Sequence, residues 1–396
     1  MVDVFSKALN NTIKIKRILG KIEGSHPGPT IVFFAGIHGN EPSGIFALKK
    51  VLAGINKTQV KGTIFAVSGN LLALKNQQRY INQDLNRLWT KKQIEEIKNK
   101  SKLNDDEQEL IELLSLLNKV IKSNQPPFYF FDLHTTSSQT LPFITINDAL
   151  INRKFSTQFP VPIILGIEEY LNGPLLSYIN DLGYVSLGFE SGQHDSKEAI
   201  TNSIAFAYLV LVFSGALKKE AVINFSSFYE QLKLQSNNTI DVFEIVYLQR
   251  IQNNELFKMH DGFKSFDKIK KGASLAISDA TEIKSPFNGR IFMPLYQKKG
   301  SEGFFIIKPI KPFLLKLSAI LRNIKFDGAL VIMPGISWVN KKEGILQVNL
   351  KVAKYFAKAL FHLLGYRSKQ VTTTHLKFYN RERVAKTSVY KKAPWY

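Results

Sequence analysis

The first half of the chain alternates short, continuously apolar runs with longer segments whose apolar residues recur every three or four positions. Apolar runs closed by glycine predict buried strands, and the second pattern predicts amphipathic helices. The strands expected on this basis are TIVFFAGIHG, GTIFAVSGN, FYFFDLHTT, LPFITIND, VPIILGI and YVSLGFES. Strands that alternate with helices predict an α/β fold, with a mixed, mostly parallel sheet flanked by helices.

Two of the expected helices carry clear signals. The segment NDDEQELIELLSLLNKVIKS begins with a capping box, in which Asn104 caps the helix and Glu107 bonds back to it. The segment DSKEAITNSIAFAYLVLVFSGAL contains the longest apolar run, Ile204–Leu217. That run is shorter than the roughly 20 residues that a membrane span needs. We therefore expect a buried helix there and no membrane span.

Near residues 217–227 the alternation of strand and helix patterns gives way to shorter strand-like pieces. This change suggests that the chain has three parts. Residues 1–230 would form the α/β domain. Shorter strand-like pieces with turn signals predict a smaller β-rich domain over residues 240–310. This domain is similar to half of a lipoyl/biotinyl-like sandwich, but its hairpin tip SDAT has no lysine to modify. Residues 311–396 would form a helical extension, including NLKVAKYFAKALFHLLGY, and a basic tail.

Composition limits the chemistry and raises one non-enzymatic alternative. The absence of cysteine excludes disulfides, thiolate zinc sites and a cysteine nucleophile. The first residues lack an apolar signal segment, so we expect a cytoplasmic protein. The net charge of +21 favours anionic partners. The segment Tyr366–Tyr396 holds eight Lys or Arg and one Glu, so it is either a solvated tail or a surface for nucleic acid. No recognised nucleic-acid motif supports the second interpretation.

Three residues at predicted strand ends form a candidate metal site. His38 and Glu41 flank a turn at Gly39 where a buried strand gives way to a helix, and His134 ends a second buried strand. The carboxyl edge of an α/β sheet is where such folds place their sites. Zinc binds imidazole and carboxylate and keeps one position open for water in catalytic sites. We therefore predict one Zn²⁺ per chain, with a coincidental pair of loop residues as the alternative.

Two further motifs add candidate catalytic groups. RYINQDLNR places Arg79, Asn86 and Arg87 in a loop, where guanidinium and amide groups suit a substrate carboxylate and a developing oxyanion. A surface arginine cluster is the alternative. GFESGQH ends another strand with Glu190, a candidate general base whose pKa would be raised in an apolar setting. A surface glutamate at a strand end is the alternative there.

The motifs GIHGNE, RYINQDLNR, DLHTTSS and GFESGQH occur in the order and at the spacing typical of one enzyme family. Over about residues 28–310 the chain resembles the succinylglutamate desuccinylase/aspartoacylase family, a branch of the zinc carboxypeptidase-like fold. The resemblance implies that zinc is held by His38, Glu41 and His134. It also implies that Glu190 activates the attacking water, that Arg79 polarises the scissile carbonyl, and that Asn86 and Arg87 hold a substrate carboxylate.

The sequence departs from this pattern where the substrate is read. Aspartoacylase-like members carry an arginine about ten residues before the catalytic glutamate, and it helps to read an acidic side chain. Here Asn180 stands near that position, with Tyr178 close by and no arginine. N-acetylaspartate and succinylglutamate therefore become doubtful substrates. A substrate with one acidic group, bound by Arg87, is the alternative that stays open.

Several residues are secondary candidates. Asp132, two residues before His134, is our own candidate for positioning that histidine. Tyr296 in FMPLYQKKG is a candidate substrate contact. His194, four residues after Glu190, is either structural or close to the site. The remaining histidines show no partner pattern.

The predicted function is zinc-dependent hydrolysis of the amide bond of a small N-acyl amino acid or related amide, a deacylase acting on linear amides rather than peptide bonds. A metallocarboxypeptidase that cleaves peptide C-termini is the alternative enzyme, and a β-rich domain that narrows the cleft argues against it. The sequence leaves open the acyl group, the amine and the oligomeric state, including a homo-oligomer.

Overall fold

The computed structural model describes residues 1–252, 254–349, 357–370 and 375–396. Its strands are β1 Val2–Ser6, β2 Asn11–Ile15, β3 Ile18–Glu23, β4 His26–Ala35, β5 Lys61–Ser68, β6 Phe128–Thr136, β7 Phe143–Ile146, β8 Ile163–Leu165, β9 Val185–Gln193, β10 Val242–Arg250, β11 Phe257–Met259, β12 Lys268–Ile269, β13 Ser274–Ser278, β14 Thr281–Lys284, β15 Gly289–Phe292, β16 Glu302–Pro309, β17 Ile336–Asn340, β18 Ile345–Asn349, β19 Tyr366–Gln370 and β20 His375–Asn380. Its α-helices are α1 Ser43–Gly54, α2 Leu71–Lys75, α3 Lys91–Lys98, α4 Asp105–Ser123, α5 Leu150–Ser156, α6 Leu175–Asp181, α7 Lys197–Phe213, α8 Phe225–Gln235, α9 Pro312–Asn323, α10 Ala357–Leu363 and α11 Arg381–Val384.

A mixed sheet of eleven strands, counted within the described residues, forms the centre of the molecule. Its strand order is β12-β15-β16-β10-β8-β7-β9-β6-β4-β5-β3. Strands β5, β4, β6 and β9 run parallel to one another. Strands β7, β8 and β10 are parallel among themselves and antiparallel to β9. The predicted α/β class with a mixed sheet is confirmed, and the carboxyl ends of β4, β6 and β9 meet at one edge.

Strand β6 shows why these strands read as continuous apolar runs, because all nine of its residues are buried. Tyr129, Phe131 and Leu133 pack into the core formed with α1 and α7. Phe128 and Phe130 pack into the opposite core, formed with α4. A strand covered on both faces has no solvent side, so its sequence does not alternate.

The two helices with clear sequence signals are confirmed. Helix α4 begins at the capping box of Asn104 and Glu107, with both reciprocal hydrogen bonds formed. Helix α7 is largely buried against β9, as expected from its apolar run. Within the described residues, no helix has the length and apolar character required to cross the lipid bilayer.

The β-rich segment of residues 240–310 is present, but part of it extends the central sheet. Strand β10 pairs in parallel with β8, and β16, β15 and β12 continue the sheet beyond it. Strands β11, β13 and β14 form a separate three-stranded sheet. Glu302, the first residue of β16, and Phe305 of the same strand line the cavity described below. The boundaries at 230 and 240 stay predictions.

The last part of the chain differs from the expected helical extension and solvated tail. Its described residues contain a four-stranded antiparallel sheet, β17-β18-β20-β19, beside α9, α10 and α11. The predicted helix NLKVAKYFAKALFHLLGY lies partly outside the described residues, and only α10 falls within it. Short apolar stretches between turns, such as GILQVN, account for the strands.

The aromatic residues of the basic tail explain why its end is not solvated. Tyr390 is fully buried and Trp395 is nearly so, and both pack against Tyr129 of β6. The Trp395 indole N–H donates to the Tyr129 hydroxyl at 3.0 Å. The Tyr390 hydroxyl accepts from the Val185 backbone N–H at 2.9 Å. The tail therefore completes the core beneath β6 and β9.

Candidate active site

The loop after β4 brings His38 and Glu41 to the edge of the sheet. Gly36 has φ +70°, a conformation that side chains with a Cβ rarely adopt. A Cβ on Gly39 would lie 2.0 Å from the backbone carbon of Ala73, so only glycine fits that approach. The turn predicted at Gly39 is thus imposed by the neighbouring backbone, and both acid and imidazole end up buried.

His134 and Glu190 reach the same place from neighbouring strands. In the parallel pairing of β6 with β9, these two residues are register partners. Both lie near the carboxyl ends of their strands, next to the end of β4. The sheet therefore gathers residues that are far apart in sequence at the edge where α/β folds place their sites.

His38, Glu41 and His134 form a group that could hold a metal ion. One ligand atom from each lies within 4.8 Å of the others. The Glu41 carboxylate faces Nδ1 of His38 at 2.8 Å and Nδ1 of His134 at 3.0 Å. Its Oε2 also accepts from the Thr135 backbone N–H at 3.1 Å. Both imidazoles thus turn the same ring nitrogen toward one carboxylate.

Two aspartates hold the opposite ring nitrogens. Asp132 Oδ2 lies 2.7 Å from Nε2 of His134, and Asp84 Oδ1 lies 3.1 Å from Nε2 of His38. A carboxylate on the far nitrogen fixes the tautomer and the ring orientation of a metal-binding histidine. Asp132 was a sequence candidate for this position. Asp84 was missed, although it sits inside the RYINQDLNR motif.

The RYINQDLNR loop is anchored from below by α4. Both carboxylate oxygens of the buried Asp106 accept backbone N–H groups of the loop, from Ile81, Asn82 and Gln83. This anchoring sets the position of Arg79, whose Nη2 donates to Asp84 Oδ2 at 3.0 Å.

Arg79 and Asp84 stay charged in this buried setting. Arg79 Nη1 also lies 3.6 Å from Glu41 Oε1. Burial opposes the ionisation of Asp84, but Arg79 and His38 outweigh it and hold the pKa of Asp84 well below its usual range. The carboxylate can therefore accept hydrogen bonds from both neighbours at neutral pH.

Glu190 has the surroundings of a proton-carrying group. Burial raises its pKa to about 8, and the nearby carboxylates of Glu41 and Asp132 act in the same direction, against an opposing effect of His134. Its Oε2 is buried and has no hydrogen-bond partner within the described part of the chain. An unpaired carboxyl oxygen on a cavity wall is available to a water or a substrate atom.

A cavity of about 110 Å³ opens beside these groups. Asn86 and Arg87 line it, together with Arg79, Glu190 and the three candidate metal ligands. The side-chain amide oxygen of Asn86, Oδ1, accepts from the Leu175 backbone N–H at 2.9 Å, which connects this side chain to the start of α6. Arg87 Nη2 lies 3.1 Å from Glu302 Oε1, the first residue of β16.

The β-rich segment closes one side of the cavity through residues 293–305. Lys299 Nζ donates to the Tyr80 backbone carbonyl at 2.8 Å. This hydrogen bond connects the loop before β16 to the RYINQDLNR loop, which carries Arg79. Tyr296 does not line the cavity. Its hydroxyl donates to the His260 carbonyl at 2.8 Å and accepts from the Phe263 N–H at 3.1 Å. Its predicted substrate contact stays a prediction, and the neighbouring Gln297 lines the cavity instead.

His194 also lines the cavity, where it links the catalytic sheet to the β-rich loop. Burial lowers its pKa, so the ring is neutral and only one nitrogen carries a proton. Nε2 lies 3.2 Å from Gln297 Oε1 and 3.4 Å from Asn40 Nδ2, and Nδ1 lies 2.7 Å from the Thr135 hydroxyl oxygen.

A match to a known family covers part of this site. The model for the succinylglutamate desuccinylase/aspartoacylase catalytic domain matches residues 27–190. This segment contains the candidate metal ligands, Arg79 and Glu190. Over this segment the chain is similar to that catalytic domain.

Individual relatives of the family are distant. A succinylglutamate desuccinylase of Photorhabdus laumondii is 31% identical over 87 residues, which is 22% of this chain and 27% of that protein. The match thus spans about a quarter of the length of this curated relative. A succinylglutamate desuccinylase/aspartoacylase structure from Rhodobacter sphaeroides has a TM-score of 0.55 at 14% identity, covering 73% of this chain and 88% of the other. The succinylglutamate desuccinylase structure from Vibrio parahaemolyticus has a TM-score of 0.53 at 12% identity, covering 78% of this chain and 90% of the other. These structures share the fold with our chain.

Three residues at or beside the cavity are not predicted from the sequence: Asp84, Gln297 and Glu302. Asp84 could have been found, because an acid between two arginines in a buried motif needs a paired role. His194 lies at the cavity, which is one of the two alternatives that the sequence leaves open. Gln297 and Glu302 carry no sequence signal, because only the folding of the β-rich loop over the cavity brings them near Arg79 and Arg87.

Proposed function

We propose that the chain is a zinc-dependent hydrolase that cleaves the amide bond of a small N-acyl amino acid or related amide. The observation that carries this proposal is the group of His38, Glu41 and His134, with three ligand atoms within 4.8 Å, beside the unpaired carboxyl oxygen of Glu190. The family match over residues 27–190 supports it, because relatives in that family bear the name desuccinylase.

Zinc fits the donor set. Two imidazoles and one carboxylate are a ligand set that zinc prefers, and they leave a fourth position open. When bound, the ion would polarise the amide carbonyl and make water a better nucleophile near neutral pH. Asp84 and Asp132 keep both Nε2 atoms engaged, so both Nδ1 atoms remain directed at the Glu41 carboxylate.

Glu190 would move the proton. Its carboxylate takes a proton from the attacking water as the water oxygen bonds to the carbonyl carbon. It then gives that proton to the amide nitrogen as the carbon–nitrogen bond breaks. The products are a carboxylate and a free amine. Burial raises the pKa of the Glu190 carboxyl group, which favours its holding this proton until the amide nitrogen takes it.

Arg79 would face the carbonyl oxygen. Its guanidinium is fixed by Asp84 and lies beside Glu41, so it is already oriented before substrate enters. A preoriented cation of this kind stabilises the negative charge that develops on the oxygen. Asn86 and Arg87 line the wall beyond, where a distal group of the substrate would lie, and Tyr296 is a more remote candidate contact.

The test is an amine-release assay on zinc-loaded protein over a panel of N-acyl amino acids, their carboxamides and N-acyl amines. We expect at least one member to be hydrolysed by the wild type, and turnover to fall by about 10² to 10⁴ in Glu190→Gln. The matched control is Glu198→Gln, which changes an exposed glutamate of α7 and should leave turnover unchanged. Hydrolysis that survives in Glu190→Gln would refute the proposed role.

A further inference from the structure

Both arginines on the cavity wall already have carboxylate partners within the chain. Arg79 is held by Asp84 and lies beside Glu41. Arg87 is paired with Glu302 at 3.1 Å, and both side chains are mostly buried. Among the described residues, the cavity lining contains no other arginine or lysine. A substrate carboxylate would therefore meet no cation that is free to receive it.

Glu302 is held in place independently of Arg87. The Ser301 hydroxyl donates to Glu302 Oε1 at 2.9 Å, and the hydrogen bond from Lys299 to the Tyr80 carbonyl fixes the loop just before β16. Burial opposes ionisation of Glu302, but Arg87 outweighs it and holds its pKa below the usual range. The pair is thus ionised at neutral pH, and a substrate that displaced Glu302 would leave a buried carboxylate without its cation.

Apart from the candidate metal ligands, Glu190 and the two arginines with Glu302, the residues that line the cavity are uncharged. The apolar part of the wall is built from Ile146, Leu171, Leu176, Met293, Leu295 and Phe305. Helix α6 contributes only Leu176 and Ser177 to this wall, together with Pro174 just before the helix. The same helix carries Asn180, near the position where the family pattern has an arginine that binds an acidic side chain. Such surfaces accept an apolar group and neutral hydrogen-bonding atoms, and they disfavour a carboxylate.

We infer that Glu302 determines specificity, because it occupies the Arg87 guanidinium and so selects a substrate without a carboxylate at that position. The substrate class is a neutral amide with an apolar substituent, such as an N-acyl amino acid whose carboxyl group is blocked. This inference rests on the proposed hydrolase function and narrows its substrate. It also disfavours cleavage at peptide C-termini, because a carboxypeptidase needs a free cation for the terminal carboxylate.

The test compares two probes that differ only in that charge, N-acetyl-leucinamide and N-acetyl-leucine. Their kcat/KM values are measured with zinc-loaded wild type and with Glu302→Gln. Their binding constants are measured by calorimetry in the Glu190→Gln background, with and without Glu302→Gln. We expect the wild type to prefer the carboxamide by about tenfold or more, and Glu302→Gln to lower that ratio by a similar factor because Arg87 becomes free.

The control is Glu282→Gln, an exposed residue of β14 in the same β-rich segment, which should leave the ratio unchanged. Glu302→Ala serves as the second variant if Glu302→Gln does not fold. A wild-type preference for the free acid, no binding of the carboxamide, or a ratio unaffected by Glu302→Gln would overturn the inference. If the carboxamide binds selectively but no member of the amine-release panel is hydrolysed, the hydrolase proposal fails and the specificity inference stands.

Discussion

Asp132 Oδ2 lies 2.7 Å from Nε2 of His134, while Nδ1 of the same ring lies 3.0 Å from the Glu41 carboxylate. The imidazole is therefore held between two buried carboxylates, one behind it and one at the candidate metal site. This arrangement fixes which nitrogen faces the metal position.

Replacing Asp132 by Asn should lower zinc affinity by about 10- to 100-fold, because the ring loses the charged partner that orients it. Competition with a chromogenic chelator measures this directly. The matched control is Asp3→Asn, at an exposed position of β1, where affinity should not change. Equal affinity in the wild type and Asp132→Asn would show that the contact is only structural.

Arg79→Ala should reduce kcat by about 10² to 10³ with a smaller change in KM, because the guanidinium would act on charge that appears in the transition state. Steady-state kinetics on the substrate found in the amine-release panel separates the two parameters. Lys92→Ala, at an exposed site on α3, is the control for a lost positive charge. A rise in KM alone would mean that Arg79 binds ground-state substrate instead.

Asp148 joins the C-terminal region to the catalytic core. Its carboxylate is buried and contacts Arg153 of α5, Arg322 of α9 and Arg367 of β19, with Oδ2–Nη2 distances of 2.8, 2.9 and 2.6 Å. Asp148→Asn leaves these arginines undercompensated and should lower the free energy of unfolding by about 3–5 kcal/mol at neutral pH. Glu168, Glu169 and Glu382, which also face the arginines, remain in the variant.

The same contact predicts a pH dependence. Burial alone would raise the pKa of Asp148, but Arg153, Arg322 and Arg367 outweigh it and hold that pKa well below the ordinary value of 3.8. A lowered folded-state pKa means that the ionised form stabilises the fold above the ordinary pKa, and that this contribution is lost as pH falls toward the folded-state value. Urea unfolding should therefore show a smaller difference between the wild type and Asp148→Asn at about pH 3 than at about pH 7. A constant difference would contradict this.

Trp395→Ala should destabilise the fold by about 3–5 kcal/mol, because the indole packs against Tyr129 and Phe155 beneath the catalytic strands. Chemical unfolding measures the change, and Tyr396→Ala, at a partly exposed position, should have a smaller effect. An unchanged stability would restore the interpretation of these residues as a solvated tail, and with it the case for a basic surface that binds nucleic acid.

The sequence predicts best what is set by local pattern. The apolar runs of β4, β6 and β9 and the capping box of α4 have local causes, and the structure has them where expected. His38, Glu41 and His134 could be grouped because each lies at a strand end, and the carboxyl ends of parallel strands share one edge. The cytoplasmic location stays a prediction.

What the sequence does not predict depends on long-range packing. Glu302 faces Arg87 only because β16 pairs with β10 and the preceding loop crosses the cavity. Tyr390 and Trp395 are buried because they pack against Tyr129 of β6, which is far away in sequence, so no local pattern predicts their burial. Strands β17 to β20 lie in a segment rich in lysine and arginine, whose charge suggested a solvated surface.

The central claim is that His38, Glu41 and His134 hold one metal ion, and metal analysis of purified protein after zinc addition and desalting tests it most directly. We predict about one zinc ion per chain for the wild type and less than about a tenth of that for His38→Ala and His134→Ala, because each removes one of the protein ligands. His260→Ala, in the β-rich segment, should keep the full amount. No bound zinc in the wild type, or equal amounts in the wild type and both ligand variants, would contradict the account.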